Sequence, residues 1–519
     1  MAQNRRVTRP RSRNGCITCK IRHVKCDEEK PECLQCQRSG RKCDGYDNAS
    51  QTQLRQRIAE RHRPIDRDTF GADHRLVLRQ ETQTERRYVD FFYTRTSHAF
   101  SGFYDSKLWS YLIPQLGEHE PSIRHAMTAI GAIHSRIQIA ASSPKPEEGS
   151  APTERFVLEE YNKSIQTLVK SLASSKGESM DLTLTTCCLF VCLEMLRGNK
   201  KDALDHIEAG LRIIHKHEQT CSLTSRSNEL YQELRDLFIR LNLQASFMGR
   251  LMIPLKLTPS ATIRAGLIFT TLSEARSSLD QIMTKALLFI RSVGIMREAR
   301  DPETQFELES EQGDIRQELL AWRYSFDILL AKLGEKIQPS NYCASLLLQI
   351  YYHTAHFWLL TVLARDEDHF DNFIPEFEAV TSHAEEITRT LNSPAFKVSR
   401  QDSAFSLEGE LIAPLYYAAC KCRHPLIRRR AINVLSHYSK REGMWDARLY
   451  CAIAELVVKV EESQCAVLPT SERDIGSLGR VYEEVQPKDV KTNPVQVMLY
   501  LKPQGVDGPW VMRGVMVDW

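Results

Sequence analysis

From about residue 85 onwards, the apolar positions of the chain follow a helical pattern. Apolar residues recur at spacings of three and four, Gly and Pro are sparse, and the alternation typical of strands is rare. The segment 182–195 is apolar on nearly all sides, which predicts a buried helix. After a short loop at 197–199, the next apolar residues form a single stripe: Ala203, Ile207, Leu211 and Ile214. The two segments therefore predict a helical hairpin in which an amphipathic helix covers a buried one.

A second core helix is predicted at 346–363. This segment is apolar and contains four large aromatic residues: Tyr351, Tyr352, Phe357 and Trp358. The run 140–152, rich in Ala, Ser, Pro and Glu, predicts a flexible loop between helices. No repeat with a period of about 34 or 40 residues is present, so the pattern does not predict a regular solenoid.

The end of the chain has a different pattern. Apolar residues alternate with other residues at four positions: Val495, Val497, Leu499 and Leu501. A turn is indicated at 503–509, and Trp510, Met512 and Val515 follow it. This arrangement predicts a C-terminal β-hairpin. The fold class that we expect is a large, mainly all-α domain with this hairpin at its end.

Charge is distributed unevenly along the 519 residues. The formal net charge is +3, but residues 1–66 contain 16 Lys and Arg against 8 Asp and Glu, a net of +8. The remaining residues contain 53 against 58, a net of −5. Hydrophobic residues make up 42% and charged residues 26%, which excludes a wholly disordered chain. The basic N-terminal part indicates a polyanionic partner.

The N-terminus and the longest apolar segments indicate the cellular environment. Residues 1–15 carry charge but no apolar stretch, so we expect no secretory signal peptide. The longest apolar segments, 182–196 and 343–363, are interrupted by polar residues, whereas a membrane span needs roughly 18 apolar residues. We therefore expect an intracellular protein without a membrane partner. Its 15 cysteines are then expected to be reduced rather than to form disulfides.

Six cysteines form a regular cluster near the N-terminus: Cys16, Cys19, Cys26, Cys33, Cys36 and Cys43. The first three and the last three have the same spacing, so a 17-residue unit is written twice. Two Cys-x2-Cys pairs in a reducing compartment predict thiolate metal sites, and zinc is the metal that such sites bind. A redox dithiol needs one such pair, and a metallothionein would have denser cysteines.

The number of sulfurs limits how zinc can bind. Two tetrahedral zinc ions need eight ligand positions, but the cluster offers six thiolates. Either two thiolates bridge both metals, or water completes the coordination. The repeat indicates that bridging thiolates would be equivalent members of the two units. Because a domain of about 30 residues is too small to fold by apolar burial, metal binding would supply the folding energy of the whole cluster.

Further residues of the cluster carry a resemblance to a known family. The residues set between the cysteines include Lys20, Arg22, Lys25, Asp27 and Pro31. With this spacing, the segment resembles the fungal binuclear zinc cluster, Zn2Cys6. The resemblance implies two Zn2+ per chain bridged by Cys16 and Cys33. It also implies that each unit is a short helix followed by an extended strand, with Pro31 in the loop between the units.

The resemblance implies a DNA-binding mode as well. In that family the first helix enters the major groove at a CGG-type half-site, which would place Arg22 and His23 at base edges. Lys20 and Lys25 would lie close to phosphates. Many members have two consecutive basic residues where this chain has Arg22 and His23. Because His is mostly neutral near pH 7, we expect Arg22 to carry more of the base readout.

The charge of the cluster supports the same residues. Six thiolates and two Zn2+ sum to −2, and nearby cations offset this charge while facing phosphate: Lys20, Arg22, Lys25, Arg41 and Lys42. Together with His23, these are the predicted DNA-binding residues; a solvated face is the alternative for the cations. The preceding arginines fit a nuclear-import signal or an arm on the DNA backbone: Arg5, Arg6, Arg9, Arg11 and Arg13.

The body of the chain resembles the fungal-specific transcription factor domain that follows many Zn2Cys6 clusters. The segments that carry this resemblance are 188–214, 421–435, 441–447 and 502–514. The resemblance implies a helical regulatory region that controls nuclear activity, and some relatives govern secondary-metabolite gene clusters. Pockets between its helices are where we expect a small-molecule effector or an amphipathic helix of a partner to bind.

Three parts of the chain are therefore expected. Residues 1–46 form a zinc-cluster DNA-binding domain with a basic arm, 47–85 a polar linker, and 86–519 the helical regulatory domain. The linker has no apolar heptads sustained over three repeats, so a coiled coil is not predicted. A homodimer formed by the large domain and a monomer both remain open.

The predicted function is a nuclear, sequence-specific DNA-binding regulator of genes transcribed by RNA polymerase II. Its expected partners are double-stranded DNA, the transcription machinery or corepressors, and a small-molecule effector. The chain contains no HExxH, GxSxG, GxxxxGK[ST] or GxGxxG motif, so an enzyme is not predicted. The alternatives are a scaffold or corepressor whose cluster does not read bases, and an enzyme that carries a DNA tether.

Other chemistry-bearing residues in the body have simpler interpretations. His215 and His217 are two apart and would face apart on a helix, which favours a solvated helix end over a metal site. Cys420 and Cys422, near His424, are expected to be buried thiols.

A basic run follows these cysteines and contains Arg423, Arg428, Arg429 and Arg430. We expect a solvated or salt-bridged helix face there, with a second nucleic-acid contact as the alternative.

Overall fold

The computed structural model describes most of the chain: residues 16, 18–19, 24–40, 43, 82–104, 106–142, 154–174, 180–220, 228–256, 268–295, 302–334, 337–394, 396, 404–438, 440–487 and 493–519. The chain divides into two compact units, Met1–Gln80 and Glu81–Trp519. Most of the predicted linker at 47–85 and of the predicted loop at 140–152 lies outside the described residues.

Helices dominate the structure. In the first unit, helix α1 comprises Leu34–Arg38. In the second unit the helices are, in chain order, α2 (Gln83–Phe91), α3 (Ser97–Ser101), α4 (Ile113–His119), α5 (Pro121–Ser142), α6 (Glu154–Ser174), α7 (Met180–Arg197), α8 (Lys200–Thr220), α9 (Glu229–Phe247), α10 (Leu272–Ile295), α11 (Pro302–Leu333), α12 (Pro339–Thr361), α13 (Ile374–Leu391), α14 (Ile412–Lys421), α15 (Pro425–His437) and α16 (Ala447–Glu462). Shorter π-helical or 3-10 turns occur at Phe92–Thr96, Leu108–Leu112, Asp368–Phe373, Glu472–Asp474 and Ser477–Gly479. Within the described ranges, no helix is long and apolar enough to cross a membrane.

The strands form two small sheets. They are β1 (Phe405–Ser406), β2 (Arg441–Glu442), β3 (Trp445–Asp446), β4 (Val481–Val485), β5 (Val495–Leu501) and β6 (Val511–Val517). One sheet has the order β1-β2-β3 and the other the order β4-β5-β6. The expected fold class, a cluster unit followed by a mainly all-α domain with terminal strands, is confirmed.

The predicted helical hairpin is formed by α7 and α8. Helix α7 is buried over almost its whole length, and α8 buries the predicted apolar stripe against it. Gly198 joins the two helices with a φ of +76° and donates its N–H to the Met195 carbonyl over 3.1 Å. A residue with a side chain would be strained at that φ, so glycine permits the tight connection.

Helix α5 lies unusually close to α2. A Cβ atom at Gly131 would lie 2.1 Å from the Tyr88 carbonyl oxygen, a distance that no side chain tolerates. The absence of a side chain at Gly131 therefore allows the two helix backbones to touch. Helix α5 also packs against α6 and α7, so this contact fixes the N-terminal helices to the hairpin.

A tryptophan joins the three central helices. Trp322 on α11 is 1% exposed, and its Nε1–H donates to the Ala275 carbonyl on α10 over 2.8 Å. Its ring stacks on Phe326 at 4.7 Å and on Tyr352 of α12 at 5.9 Å. Helix α12 is the predicted core helix, which is confirmed, although it begins at Pro339 and ends at Thr361. Because the indole has its hydrogen bond, it can be buried without an unpaired donor.

The predicted C-terminal hairpin is confirmed as β5 and β6. They pair antiparallel, with Val495 opposite Val517 and Leu501 opposite Val511. Val497 and Leu499 on the inner face of β5 are fully buried. The pattern missed β4, which pairs with the other side of β5. Its sequence Val-Tyr-Glu-Glu-Val places two glutamates side by side, so the alternation that predicts a strand is absent.

The β1-β2-β3 sheet was also not predicted, because each of its strands has only two residues. It positions Glu442, which is 0% exposed, at the start of α14. The Glu442 carboxylate accepts the N–H groups of Glu410, Leu411 and Ile412 over 2.8, 2.9 and 3.0 Å. The first N–H groups of a helix have no partner within it, so this side chain caps α14.

The basic run near α15 is salt-bridged, as expected, but half of it is buried rather than on a helix face. Arg423 and Arg428 are 0% exposed, and each places Nη2 2.8 Å from one oxygen of Glu461 on α16. Arg423 also lies 3.0 Å from Glu367. Burial of these guanidinium groups is possible because the two carboxylates neutralise their charge.

The two remaining arginines of the run are paired at the surface. Arg429 lies 2.6 Å from Glu462, and Arg430 lies 2.6 Å from Glu378 and 2.7 Å from Glu385. Each cation thus has an acidic partner. The alternative of a second nucleic-acid contact is not supported by this arrangement, because a phosphate would have to compete with these carboxylates.

The ion pairs also hold the C-terminal sheet onto the helices. The Glu461 carboxylate accepts the Val481 N–H of β4 over 2.9 Å. Lys421 on α14 donates to the Tyr482 carbonyl over 2.7 Å and to Glu367 over 3.0 Å. Burial alone would raise the pKa of Glu461, but the guanidinium groups of Arg423 and Arg428 outweigh burial and lower it to about 2.

We predict that Glu461→Gln destabilises the second unit by about 3–5 kcal/mol at neutral pH, because it takes the close carboxylate from buried Arg428 and leaves Arg423 with Glu367 alone. The folded pKa of Glu461, about 2, lies below the ordinary value of 4.5. The ionised carboxylate therefore stabilises the fold fully at pH values above 4.5. This stabilisation is lost as the pH falls from 4.5 towards 2. Chemical unfolding of both proteins at neutral pH and near pH 4 measures the difference, which should shrink in acid.

Glu159→Gln is the matched control. Glu159 pairs with Arg155 at 2.7 Å on an exposed face of α6, so the substitution should change stability little at either pH. A Glu461→Gln effect as small as the control, or one that does not change with pH, would contradict the assigned role of the buried network.

Candidate metal centre

The six clustered cysteines meet at one buried place in the first unit. Their exposed fractions range from 0% to 8%. The sulfurs form two groups of four, and within each group all sulfurs lie within 4.8 Å of one another. One group is Cys16, Cys19, Cys26 and Cys33, and the other is Cys16, Cys33, Cys36 and Cys43. Cys16 and Cys33 belong to both groups.

The spacing of the sulfurs suits tetrahedral zinc. A Zn–S distance of about 2.3 Å in a tetrahedron separates the sulfurs by about 3.8 Å. The Sγ atoms of Cys16 and Cys33 are 3.5 Å apart, and those of Cys19 and Cys33 are 3.6 Å apart. In the other group, Cys16 and Cys36 are 3.8 Å apart. Two groups of four that share two sulfurs are what six thiolates need to surround two zinc ions.

The local backbone gives the two cysteine repeats, 16–26 and 33–43, equivalent geometry. Cys33 caps the N-terminus of α1, where its Sγ accepts the Cys36 N–H over 3.3 Å. At the corresponding place in the first cysteine repeat, the Cys16 Sγ accepts the Cys19 N–H over 3.4 Å. Each shared sulfur therefore lies where N–H groups point at a negative charge, which favours the thiolate form.

Asp27 links the two halves of the cysteine cluster. It follows Cys26 directly, and its carboxylate accepts the N–H groups of Leu34 over 2.9 Å and Gln35 over 2.7 Å at the start of α1. Between these points, the chain reverses through Glu28, whose φ is +65°, and through Pro31. Asp27 was expected only as one of the residues that carry the resemblance. An aspartate immediately after the third cysteine is the signal that would have indicated this link.

Burial makes the cluster dependent on a cation. Removal from water raises the pKa of the Cys16 thiol to about 12, and it also raises the pKa of Cys33. Thiolates at these positions therefore need a positive charge beside them. Soft sulfur donors in tetrahedral groups suit zinc, whereas magnesium and calcium prefer oxygen ligands. Both the geometry and the donor set fit zinc.

The predicted DNA-binding residues are described only in part. Lys25 is exposed beside Cys26, as a phosphate contact requires. The other five predicted residues lie outside the described residues: Lys20, Arg22, His23, Arg41 and Lys42. Their roles therefore stay predictions.

The buried-thiol interpretation of Cys420 and Cys422 is confirmed. Both are 1% exposed, and burial raises the pKa of Cys422 to about 12. His215 is only half-buried near the end of α8, where its Nδ1 lies 2.9 Å from the Pro254 carbonyl oxygen.

One further group of possible metal ligands was not predicted from sequence. Atoms of Glu85, His125 and Glu160 lie within 4.8 Å of one another. However, Lys163 Nζ lies 3.0 Å from Glu85 and 2.6 Å from Glu160, so a cation already occupies the position that a metal would take. The group is an ion-pair network joining α2, α5 and α6. Glu85, His125 and Glu160 are too far apart in the sequence for a spacing motif to indicate this network.

Two family models match this chain. The model described as the fungal specific transcription factor domain matches residues 87–449. The model described as the fungal Zn(2)-Cys(6) binuclear cluster domain matches residues 14–53. The chain belongs to the fungal specific transcription factor domain family. The resemblance that the motifs carry is thus confirmed for both parts of the chain, and the zinc-cluster domain with its six cysteines implies that the first unit binds zinc.

Curated relatives of this family member are regulators of transcription. The "Aspercryptin biosynthesis cluster-specific transcription regulator atnN" of Emericella nidulans is 24% identical over 550 aligned positions, which cover 87% of this chain and 88% of the relative. The "Transcription regulator lscL" of Purpureocillium lilacinum is 25% identical over 218 positions, covering 41% of this chain and 51% of the relative.

A third relative resembles only a short part of the chain. The "White-opaque regulator 2" of Candida albicans is 44% identical over 57 positions, covering 11% of this chain and 13% of the relative. No solved structure matches the chain. The family and these relatives place the protein among fungal zinc-cluster transcription regulators.

Proposed function

We propose that this family member is a nuclear, sequence-specific DNA-binding regulator of genes transcribed by RNA polymerase II. The observation that carries the proposal is the pair of four-sulfur groups that share Cys16 and Cys33. Six thiolates arranged in this way would hold two zinc ions in a domain of few residues, and such a domain presents a short helix to the major groove. The basic excess of residues 1–66, a net of +8, supports DNA as the partner.

Each part of the chain has a distinct role in this proposal. Residues 1–46 bind DNA, residues 47–85 connect this domain to the rest of the chain, and residues 86–519 regulate its activity in transcription. Zinc, when bound, would offset most of the thiolate charge and hold the two halves of the cluster in one fold. The six cysteines would ligate it, with Cys16 and Cys33 as the shared ligands.

Residues around the cysteines contact the DNA. Arg22 and His23 read base edges of a CGG-type half-site, while phosphates are contacted by Lys20, Lys25, Arg41 and Lys42. The exposed position of Lys25 next to a buried ligand supports this assignment.

The target genes are proposed from the relatives. One relative is named as a cluster-specific regulator of aspercryptin biosynthesis, and it aligns with 87% of this chain. We infer that this protein also controls a secondary-metabolite gene cluster. Selection of bound sequences from random DNA with the full-length protein tests the proposal directly, because a regulator should enrich a defined half-site. No enrichment would contradict it.

We predict two zinc ions per chain, both held by the N-terminal cysteines. Metal analysis of the full-length protein should return two zinc ions, and Cys33→Ala should lower the number because it removes a ligand from both sites. Chelation should unfold the first unit and leave the helical signal of the second unit largely intact. Circular dichroism and metal content measure these outcomes.

Cys465→Ala is the control for zinc content. Cys465 lies in the second unit and is partly exposed, so its loss should leave two zinc ions. One zinc ion in the unmodified protein, or an unchanged number in Cys33→Ala, would contradict the bridged arrangement.

We predict that Arg22→Ala and Lys20→Ala weaken DNA binding in different ways. Arg22→Ala should remove sequence preference, because a bidentate contact to guanine contributes about 1–3 kcal/mol of discrimination. Lys20→Ala should weaken binding to all sequences and reduce the salt slope by about one, as expected for a lost phosphate contact. Titrations with specific and random DNA at several salt concentrations separate the two effects. Equal losses on both DNAs for both variants would reject the roles.

We predict that the second unit alone has no DNA affinity at physiological salt. Residues 81–519 contain 50 Lys and Arg against 56 Asp and Glu, a net charge of −6, and Arg423 and Arg428 are buried against carboxylates. Long-range attraction to phosphates is therefore absent. Gel shifts with residues 81–519, which form a compact unit of their own, measure this.

A graft provides the complementary measurement. Residues 1–85 fused to a neutral activation domain should select the same DNA sites as the full chain while losing native control. DNA retention by the isolated second unit, or different sites selected by the graft, would overturn this division of roles.

A further inference from the structure

A cavity of about 500 Å³ lies within the second unit. Its walls come from the C-terminal ends of α9, α10 and α12, from α14, and from strand β4. This volume lies within the range of about 300–1,000 Å³ that sites for small organic ligands have. The cavity is formed where the helical core meets the C-terminal sheet, beside the buried ion pairs of Lys421 and Glu367.

Aromatic rings form one continuous wall of the cavity. The Phe247 and Trp358 rings have centroids 5.0 Å apart, and Trp358 lies 5.2 Å from Tyr417. The Phe370 ring lies 6.1 Å from Tyr417 and extends the wall. Flat ring faces and edges of this kind favour a flat apolar ligand, because stacking adds to the burial of apolar surface.

The carboxylates around the cavity are mostly engaged by the protein. Glu367 accepts Lys421 and Arg423 on the same oxygen, each over 3.0 Å. Glu484 accepts the Tyr416 hydroxyl over 2.8 Å. Asp366 accepts backbone N–H groups of the following turn. A cationic ligand would therefore find few unoccupied acceptors among these lining residues.

Arg291 is different from the other lining cations. Lys421 is paired with Glu367, and Arg365 is paired with Asp507. Among the described residues, Arg291 has no carboxylate partner: its Nε donates to the Ser246 hydroxyl over 3.0 Å and its Nη2 to the Ser246 carbonyl over 2.5 Å. Arg291 therefore presents a positive charge at the cavity wall that the described acidic residues do not neutralise.

The residue that holds Arg291 leads directly into the aromatic wall. Ser246 accepts from Arg291 and precedes Phe247, and the Phe247 ring packs against Trp358. The charge of Arg291 therefore lies next in the chain to the aromatic wall.

We propose that this cavity binds a flat aromatic carboxylic acid, with the carboxylate on Arg291 and the ring against the aromatic wall of Phe247, Trp358 and Tyr417. A carboxylate matches the planar donor fork of a guanidinium. The binding of such an acid does not depend on DNA. That its occupancy regulates transcription rests on the function proposed above.

The test compares an acid with a neutral molecule of similar shape. 2-Naphthoate and 2-naphthylmethanol are titrated by calorimetry into the full-length, zinc-loaded protein without DNA. The acid should bind roughly tenfold more tightly, as expected for one charge-assisted hydrogen-bond pair. Equal affinities, or no binding of either probe, would overturn the proposal. Because no DNA is present, neither result bears on the DNA-binding proposal.

Variants identify the residue responsible. Arg291→Gln should abolish the preference for the acid while retaining affinity for the alcohol, and Arg291→Lys should retain part of the preference. Arg155→Gln removes a cation from the exposed face of α6 and should leave both affinities unchanged. Thermal unfolding shows whether each variant is folded. A preference for the acid that persists in folded Arg291→Gln would also overturn the proposal.

Discussion

Charge that is removed from water must be matched by opposite charge, and this constraint governs both units of the protein. In the first unit the buried charges are thiolates, and the structure brings six of them into two overlapping groups that suit zinc. In the second unit they are guanidinium groups, which Glu461 and Glu367 neutralise. The thiolate form of the cysteines needs a cation beside it, and the buried guanidinium groups need their carboxylates. The ion pairs also hold the C-terminal sheet onto the helices.

The same constraint separates the roles of the two units. Positive charge remains available around the cluster, where Lys25 is exposed beside a buried ligand. In the second unit, the basic run at Arg423 and Arg428 is internal, and Arg429 and Arg430 have acidic partners. This distribution of charge agrees with the proposed assignment of DNA binding to the first unit. The second unit keeps one lining cation, Arg291, without a described carboxylate partner, and this residue faces a cavity of ligand size.

Sequence patterns predicted the features that depend on neighbouring residues. The buried helix α7 and its partner α8 follow from the density of apolar residues, and β5 follows from alternation. The cysteine spacing predicted a metal centre with equivalent bridging members, and the family resemblance named them as Cys16 and Cys33. The structure places both residues in the two sulfur groups. Strand β4 was missed, because Glu483 and Glu484 interrupt its alternation while the Glu461 carboxylate and Lys421 hold its backbone. Its stability comes from partners that no local pattern records.

The sequence by itself determined the donor set of the metal centre, the helical class of the body and the sign of the charge on each part. These properties depend on residue identity and on spacings of a few positions. Only the tertiary structure decided that Arg423 and Arg428 are internal and that Arg291 faces a cavity. An arginine has the same hydropathy whether it meets water or a carboxylate. Its environment is set by residues such as Glu367 and Glu461, which are distant in the chain and come near only after the helices have packed.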